Sequence, residues 1–384
     1  MITTSLEYRT TRICSLMVTH SCNLNCVYCF EKHKELGLRM MSFETAKDIL
    51  LKEFDLFAQL ERDAHERLAI EFFGGEPLVN FKLIKTVYEW VKELDLPFPM
   101  MFQTTTNGTL FTSSILEWFT NVKDDFRVVV SVDGDELMQL VNRGISAKKI
   151  PTDYIVQNWP NSYFKMTVSK DTLHTYSQGI IELTKKGYRV PSSLAEGVDW
   201  DNNDAETYKN ELLKIGAFYL EHPQYKVEQP FDLPFDKLLY DSPFPPKNCG
   251  VGTNTQIYDT DGKAYPCHLF LPIVHGREEY DSISKLDFSD PASLVAKECK
   301  ECPIVKLCRT CYGYNYLDRG DVANRDKSKC KMHLVEAQVI SAFQINYLMQ
   351  KQEREKLTTD DLLMLKAAVV CYEKTKNLSI DIFE

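Results

Sequence analysis

Residues 13–20 form an apolar run rich in strand formers, and Cys22, Cys26 and Cys29 follow it with three and then two residues between them. The run reads as a buried β-strand, which puts the three cysteines in the loop that leaves it. Three thiolates on one tight loop can wrap three corners of a cubic iron–sulfur cluster, because cysteine thiolate is the usual protein ligand for such iron. The fourth iron then has no ligand from this loop and is free to hold a substrate or cofactor. The alternatives are a zinc knuckle or a set of buried thiols. A structural zinc site takes four ligands, usually in two pairs, and no second pair stands near this one.

The placement of the other cysteines sharpens the metal reading. Of twelve, four fall within the first thirty residues, seven lie between Cys249 and Cys330, and one is Cys371. The chain has no basic-then-apolar signal pattern in residues 1–9 and no apolar run of membrane-spanning length, so a cytoplasmic, non-membrane protein is expected. In that compartment clustered cysteines point to metal sites rather than disulfides. The formal net charge of -10 argues against nucleic acid as a partner.

Downstream, apolar strand-like runs at 68–73, 98–106, 126–132, 163–168 and 189–196 alternate with helical patterns at 42–57, 81–94, 113–121, up to 183 and 206–220. Such alternation implies a parallel sheet with crossover helices. Polar and glycine signals recur just after the strands, at the rim where parallel α/β folds build their sites. The fold class expected is α/β, a partial (β/α)6 TIM-like barrel over residues 1–235. Prolines 230, 234, 243, 245 and 246 mark a linker. A cysteine-rich domain (236–345) and a C-terminal helical extension (346–384) follow, with helices over 332–354 and 358–374.

The pattern Cys22-x-x-x-Cys26-x-Tyr28-Cys29 resembles the signature of radical S-adenosylmethionine (SAM) enzymes. The resemblance implies a [4Fe–4S] cluster on Cys22, Cys26 and Cys29 whose open iron is chelated by SAM, and reductive cleavage of SAM to a 5′-deoxyadenosyl radical. Tyr28 would pack near adenine. The motif Gly74-Gly75-Glu76 is similar to the element that binds the SAM amino group. Asn107, Ser131 and Arg143 fall in segments similar to further rim contacts of that family, Ser131 near the ribose and Arg143 near the carboxylate. A turn role fits Asn107 and Asp133 nearly as well, since Asn-Gly and Asp-Gly are common turns.

The distal cysteines, read alone, also suit a zinc ribbon. Behind such a barrel their order is similar to a SPASM domain, which holds two auxiliary [4Fe–4S] clusters. By that resemblance Cys299, Cys302, Cys308 and Cys330 ligate one cluster, and Cys249, Cys267 and Cys311 serve the other. The Cys308–Cys311 pair is one residue closer than usual in the family. A further upstream cysteine found in some members is missing, which implies three protein ligands and an open iron. Cys14 and Cys371 read as structural thiols.

The function expected from the resemblance is that of a peptide maturase. It would take hydrogen from a ribosomally made precursor peptide and form a thioether or carbon–carbon cross-link. An electron donor such as flavodoxin or ferredoxin, and a separate leader-binding protein, are the further partners expected. One alternative is an anaerobic sulfatase maturase, which makes formylglycine. In that branch an acidic residue follows the cysteine of the Gly-x-x-x-x-Cys element, whereas here His268 follows Cys267 as a candidate catalytic residue. The other alternative is a non-catalytic, zinc-stabilised interaction protein.

Overall fold

Strand β1 (Arg9–Thr19) stands inside a sheet rather than at its edge. In a computed structural model that describes residues 9–33, 39–241, 247, 249–276 and 279–383, β1 pairs in parallel with β2 (Glu66–Gly74). Then follow β3 (Met100–Thr106), β4 (Phe126–Ser131), β5 (Tyr163–Val168) and β6 (Ser192–Leu194), each parallel to the last. Neighbours in sequence are neighbours in the sheet, the winding of a barrel. Pro243, Pro245 and Pro246 of the expected linker, and residues 1–8, lie outside the described residues.

The crossover helices are α1 (Phe43–Gln59), α2 (Phe81–Lys92), α3 (Ser113–Asn121), α4 (Glu136–Arg143), α5 (Thr152–Asn158), α6 (Tyr176–Lys185) and α7 (Asn202–Glu221). Their starts are set by side chains that accept the first free backbone N–H groups: Ser42 for α1, Thr112 for α3, Asp135 for α4 and Asp201 for α7. The outward residues of the strands, among them Leu16, Ile70, Phe72, Phe102, Val128 and Phe164, form the main core with these helices. Phe72 stacks between Phe102 and Phe126, with ring centroids 6.4 and 5.8 Å away.

The opposite strand face lines the lumen and mixes apolar residues such as Met17 and Met101 with polar ones. Strand register sets Ser15, Glu71, Gln103 and Arg127 in one row across four adjacent strands. Burial of such a row is tolerated because its members bond to one another: Ser15 Oγ and Gln103 Nε2 both donate to the Glu71 carboxylate.

Three features depart from the expected elements. The sixth strand is three residues long rather than spanning 189–196, since Pro191 offers no N–H before it and Gly197 turns the chain at φ +68 after it. Helices α4 and α5 fill what read as loop. A hairpin of β7 (Thr255–Tyr258) and β8 (Ala264–Tyr265) adds to β1, giving the order β6-β5-β4-β3-β2-β1-β7-β8. β7 runs parallel to β1, with Ile13 opposite Thr255, so the cysteine-rich segment is joined to the barrel sheet by backbone hydrogen bonds.

Beyond the hairpin come two single-turn helices, α8 (Pro272–His275) and α9 (Tyr280–Ile283), and then α10 (Tyr312–Arg319). Met17 of β1 joins Ile257, Phe270, Ile273, Phe288 and Tyr312 in a second core. Helix α11 (Lys327–Arg354) runs unbroken through position 345, where the helical extension was expected to begin. It packs on barrel helix α7 and on α12 (Thr359–Thr375). No helix among the described residues is long and apolar enough to cross a membrane.

Candidate active site

The cysteine loop and the Gly-Gly-Glu turn leave adjacent strands and are bolted together. Gly75 N–H donates to Thr19 O at 3.1 Å and Glu76 N–H to Ser21 O at 2.8 Å. A Cβ on Gly75 would stand 2.6 Å from Ser21 O and 2.9 Å from Cys22 Cβ, and one on Gly74 would stand 2.7 Å from Thr19 O. The two glycines therefore allow the turn to approach the cysteine loop, a close contact within the protein that sequence reasoning had assigned to a ligand. Val27 N–H, bonded to Asn142 O at 3.0 Å, ties the loop to α4. Asn107 Nδ2 donates to Asn23 Oδ1 at 2.9 Å, so Asn107 braces the same loop from β3.

The Glu76 carboxylate is bonded within the rim. It accepts from Thr106 Oγ1 at 2.6 Å, Asn107 N at 2.8 Å and Leu78 N at 3.1 Å, and the residue is 1% exposed. Burial raises its pKa and the three donors oppose that. The carboxylate holds the rim together through these three bonds.

Arg143 is likewise held from within the protein. Its Nε and Nη2 grip the two oxygens of Asp133, which is fully buried. Tyr28 Oη donates to the same carboxylate, and Thr167 N–H adds a bond of 2.9 Å. The guanidinium carbon lies 5.5 Å from the Tyr28 ring centroid. Asp133, read as a turn residue, is thus the anchor that fixes Tyr28 beside Cys29 and Arg143 at the end of α4. Ser131, 8% exposed, closes β4 opposite Lys165 of β5.

His268 sits in a helical turn just after Cys267 and projects over the lumen row. Its Nε2 is 3.1 Å from both Ser15 Oγ and Glu71 Oε2, and its ring lies 4.0 Å from that of Phe73. Gln103 Nε2 donates to the other Glu71 oxygen at 3.1 Å. Burial pushes the Glu71 carboxyl up, but the hydrogen bonds of His268 and Ser15 win and hold it below its ordinary value. Burial lowers the Lys165 ammonium, with Glu71 opposing. Sequence reasoning missed Ser15, Glu71 and Lys165. The signal was there for two of them: a lone charge within Leu68–Phe73 and another between Phe164 and Met166.

The distal cysteines fall into two groups. A small cavity of about 20 Å³ is lined by Cys299, Cys302, Cys308 and Cys330 together with Arg325 and His333. Burial pushes the Cys330 thiol up to about 12, and Cys308, Cys299 and Cys302 add to it in that order. Cys267 is raised by burial and then by Cys311 and Cys249. Cys249 is exposed and borders an open pocket with Arg309, Thr310 and Lys237. Cys14 and Cys371 are buried in the main core.

Arg325 Nε and His333 Nε2 are buried with no hydrogen-bond partner, and both residues line the four-cysteine cavity. A buried polar group left unpaired costs about 1–3 kcal/mol, which a partner within that cavity would remove. Among the described residues no three His, Cys, Asp or Glu side chains close around a single metal ion. A four-iron cube spaces its thiolates more widely than one ion does, and four soft thiolates around one cavity are a donor set suited to such a cube.

Residues 16–156 match the Radical SAM superfamily. The chain carries a radical SAM domain. That domain implies a [4Fe–4S] cluster and SAM. The radical SAM cyclopropyl synthase TigE of Paramaledivibacter caminithermalis is 28% identical over 185 residues, 44% of this chain and 38% of that protein. The first two curated relatives matched are spanned over only 40% and 38% of their lengths. The cysteine-type anaerobic sulfatase-maturating enzyme of Clostridium novyi is 24% identical over 327 residues, covering 76% of this chain and 84% of that one. Among solved structures, anSMEcpe with bound AdoMet superposes with a TM-score of 0.63 at 16% identity, over 93% of this chain and 98% of that one. Streptococcus suis SuiB bound to its precursor peptide SuiA gives 0.53 at 15%, over 84% and 76%. At such identities the likeness is one of fold, and it places the radical SAM domain in a partial barrel.

Proposed function

We propose that this radical SAM chain is a peptide or protein maturase with a SPASM-type cysteine-rich segment, which takes hydrogen from an unactivated carbon of a ribosomally made peptide and closes a thioether or carbon–carbon cross-link. The observation that carries this reading is the stitching of β7 to β1. It sets Cys267 and His268, from the cysteine-rich segment, over the lumen of the barrel. A substrate in that lumen would lie between the rim of the radical SAM domain and the distal cysteines. The similarity to a sulfatase-maturating enzyme and to the fold of SuiB, solved with a precursor peptide, supports a peptide in that place.

Cys22, Cys26 and Cys29 would hold the first cluster. When bound, the cluster would supply the electron that splits SAM, and the resulting radical would take one substrate hydrogen; closing the cross-link would release a proton and one further electron, which an auxiliary cluster would accept. Tyr28, locked by Asp133 and Arg143, would form one wall of the SAM site. Glu76 and Asn107 would act by holding the cysteine loop in shape. Ser131 and the backbone of Gly74 and Gly75 remain candidates for direct contact. His268 is the candidate catalytic residue nearest the substrate, its Nε2 oriented by Ser15 and Glu71. Cys299, Cys302, Cys308 and Cys330 would ligate one auxiliary cluster, and Cys249, Cys267 and Cys311 the other.

A second reading, formylglycine formation, is favoured by one observation. Glu71 places a carboxylate 3.1 Å from His268, so an acidic group does stand beside the position after Cys267. Anaerobically reconstituted enzyme, SAM, reductant and a precursor peptide encoded beside its gene should yield a product lighter by two hydrogens, with no aldehyde. An aldehyde-bearing product would transfer the proposal to the sulfatase-maturase reading. Zinc in place of iron in the isolated protein would defeat both.

A further inference from the structure

Arg325 is 6% exposed, deeper than the described ion pairs of the chain surface, and among the described residues no carboxylate lies within ion-pair distance of it. Its Nη1 donates to Cys308 Sγ at 3.6 Å and its Nη2 to Leu294 O at 3.3 Å. Its guanidinium carbon lies 5.8 Å from the ring centroid of Tyr312, and its Nε has no partner. The neighbouring carboxylate, Asp326, caps α11 through Ser328 N–H and Lys329 N–H. An arginine stays charged at any ordinary pH, and a buried charge is tolerated only when it is paired. Something anionic must therefore face it.

Arg325 lines two spaces: one shared with Glu196 and Asp326, whose carboxylates are taken by Lys329 and by the start of α11, and the cavity of Cys299, Cys302, Cys308 and Cys330. Four thiolates around a cubic cluster carry net negative charge and present sulfur as acceptor. We propose that Arg325 is the counter-ion of that auxiliary cluster and sets its reduction potential. This inference rests on the reading of these four cysteines as ligands of one cluster.

The direction of the effect follows from charge. Adding an electron makes the cluster more negative, and a fixed cation in contact favours that state, strongly so in a medium less polar than water. Hydrogen bonds to cluster sulfur act the same way. Arg325 thus holds the cluster at a higher potential than its thiolates alone would give, which eases its role as an electron acceptor. It is a positioning and tuning residue, since nothing places it against a substrate.

The test uses full-length protein carrying Ala at Cys22, Cys26 and Cys29, so that only auxiliary clusters give a signal. Arg325→Gln and Arg325→Lys are compared with the parent by iron analysis and by redox titration followed by electron paramagnetic resonance. The expected result is a midpoint shifted to lower potential in Arg325→Gln and largely restored in Arg325→Lys, with about eight irons in each. Loss of about four irons from Arg325→Gln alone would also support the counter-ion role, since the lysine variant keeps the charge. An unchanged midpoint in Arg325→Gln at full iron content would overturn it, and so would equal loss of iron from both variants. A parent with about four irons instead of eight would refute the cluster reading itself, which is a different failure.

Discussion

Arg143 grips Asp133 with two hydrogen bonds, Nε to Oδ2 at 2.9 Å and Nη2 to Oδ1 at 3.1 Å. The pair joins the end of β4 to the end of α4 and, through Tyr28 Oη, to the cysteine loop. Burial works against the Arg143 charge, and Asp133 outweighs it.

Removing one partner of such a pair leaves a buried charge alone. Asp133→Ala should destabilise the fold by about 3–5 kcal/mol, measured by urea unfolding of the metal-free protein. It should also free Tyr28 and weaken SAM binding. A variant of ordinary stability with unaltered SAM affinity would remove Asp133 from the rim.

Glu76→Ala should act on stability before it acts on SAM. Three donors lose their acceptor in a site closed to water, a loss of about 3 kcal/mol if each costs about 1 kcal/mol. Glu76→Gln keeps the shape and should cost less. Thermal unfolding without SAM is the check; equal melting temperatures for wild type and Glu76→Ala would return the carboxylate to direct ligand binding.

The barrel was legible because its strands carry apolar runs and its turns carry glycine. The β7–β8 hairpin was not, because strands of four and two residues leave no periodic signal. The internal partners of Glu76 and Arg143 were not legible, because sequence shows residue type and order and hides direction. Asp133 read as a turn residue because Asp-Gly is so common a turn that its burial could not be guessed. The lumen row of Ser15, Glu71, Gln103 and Arg127 depends on register between strands far apart in sequence, which no local pattern encodes.

Glu71 should leave an acid-side signature. Its depressed pKa means that the fold favours the ionised form. It therefore adds stability above the ordinary glutamate value of about 4.3, and that stability disappears as pH falls through the lower folded value. The stability gap between wild type and Glu71→Gln, followed by urea unfolding of the metal-free protein, should be widest near pH 7 and shrink below about pH 4. A gap that widens on acidification would contradict the ion-pair role.

On the proposed assignment seven cysteines would serve two clusters that need eight, and Cys249 lies exposed at an open pocket. An outside thiol should be able to reach the open iron there. In protein with Ala at Cys22, Cys26 and Cys29, a cysteine-bearing substrate peptide should shift the resonance of the reduced auxiliary clusters, and its serine analogue should not. A signal unmoved by the thiol would leave thioether formation without this support.

The most direct measurement is iron content together with SAM cleavage, made on wild type and on the variant with Ala at Cys22, Cys26 and Cys29. Reconstituted wild type should hold about twelve irons per chain and release 5′-deoxyadenosine under reduction; the variant should hold about eight and release none. Continued SAM cleavage by the variant would contradict the placement of the first cluster on these three cysteines.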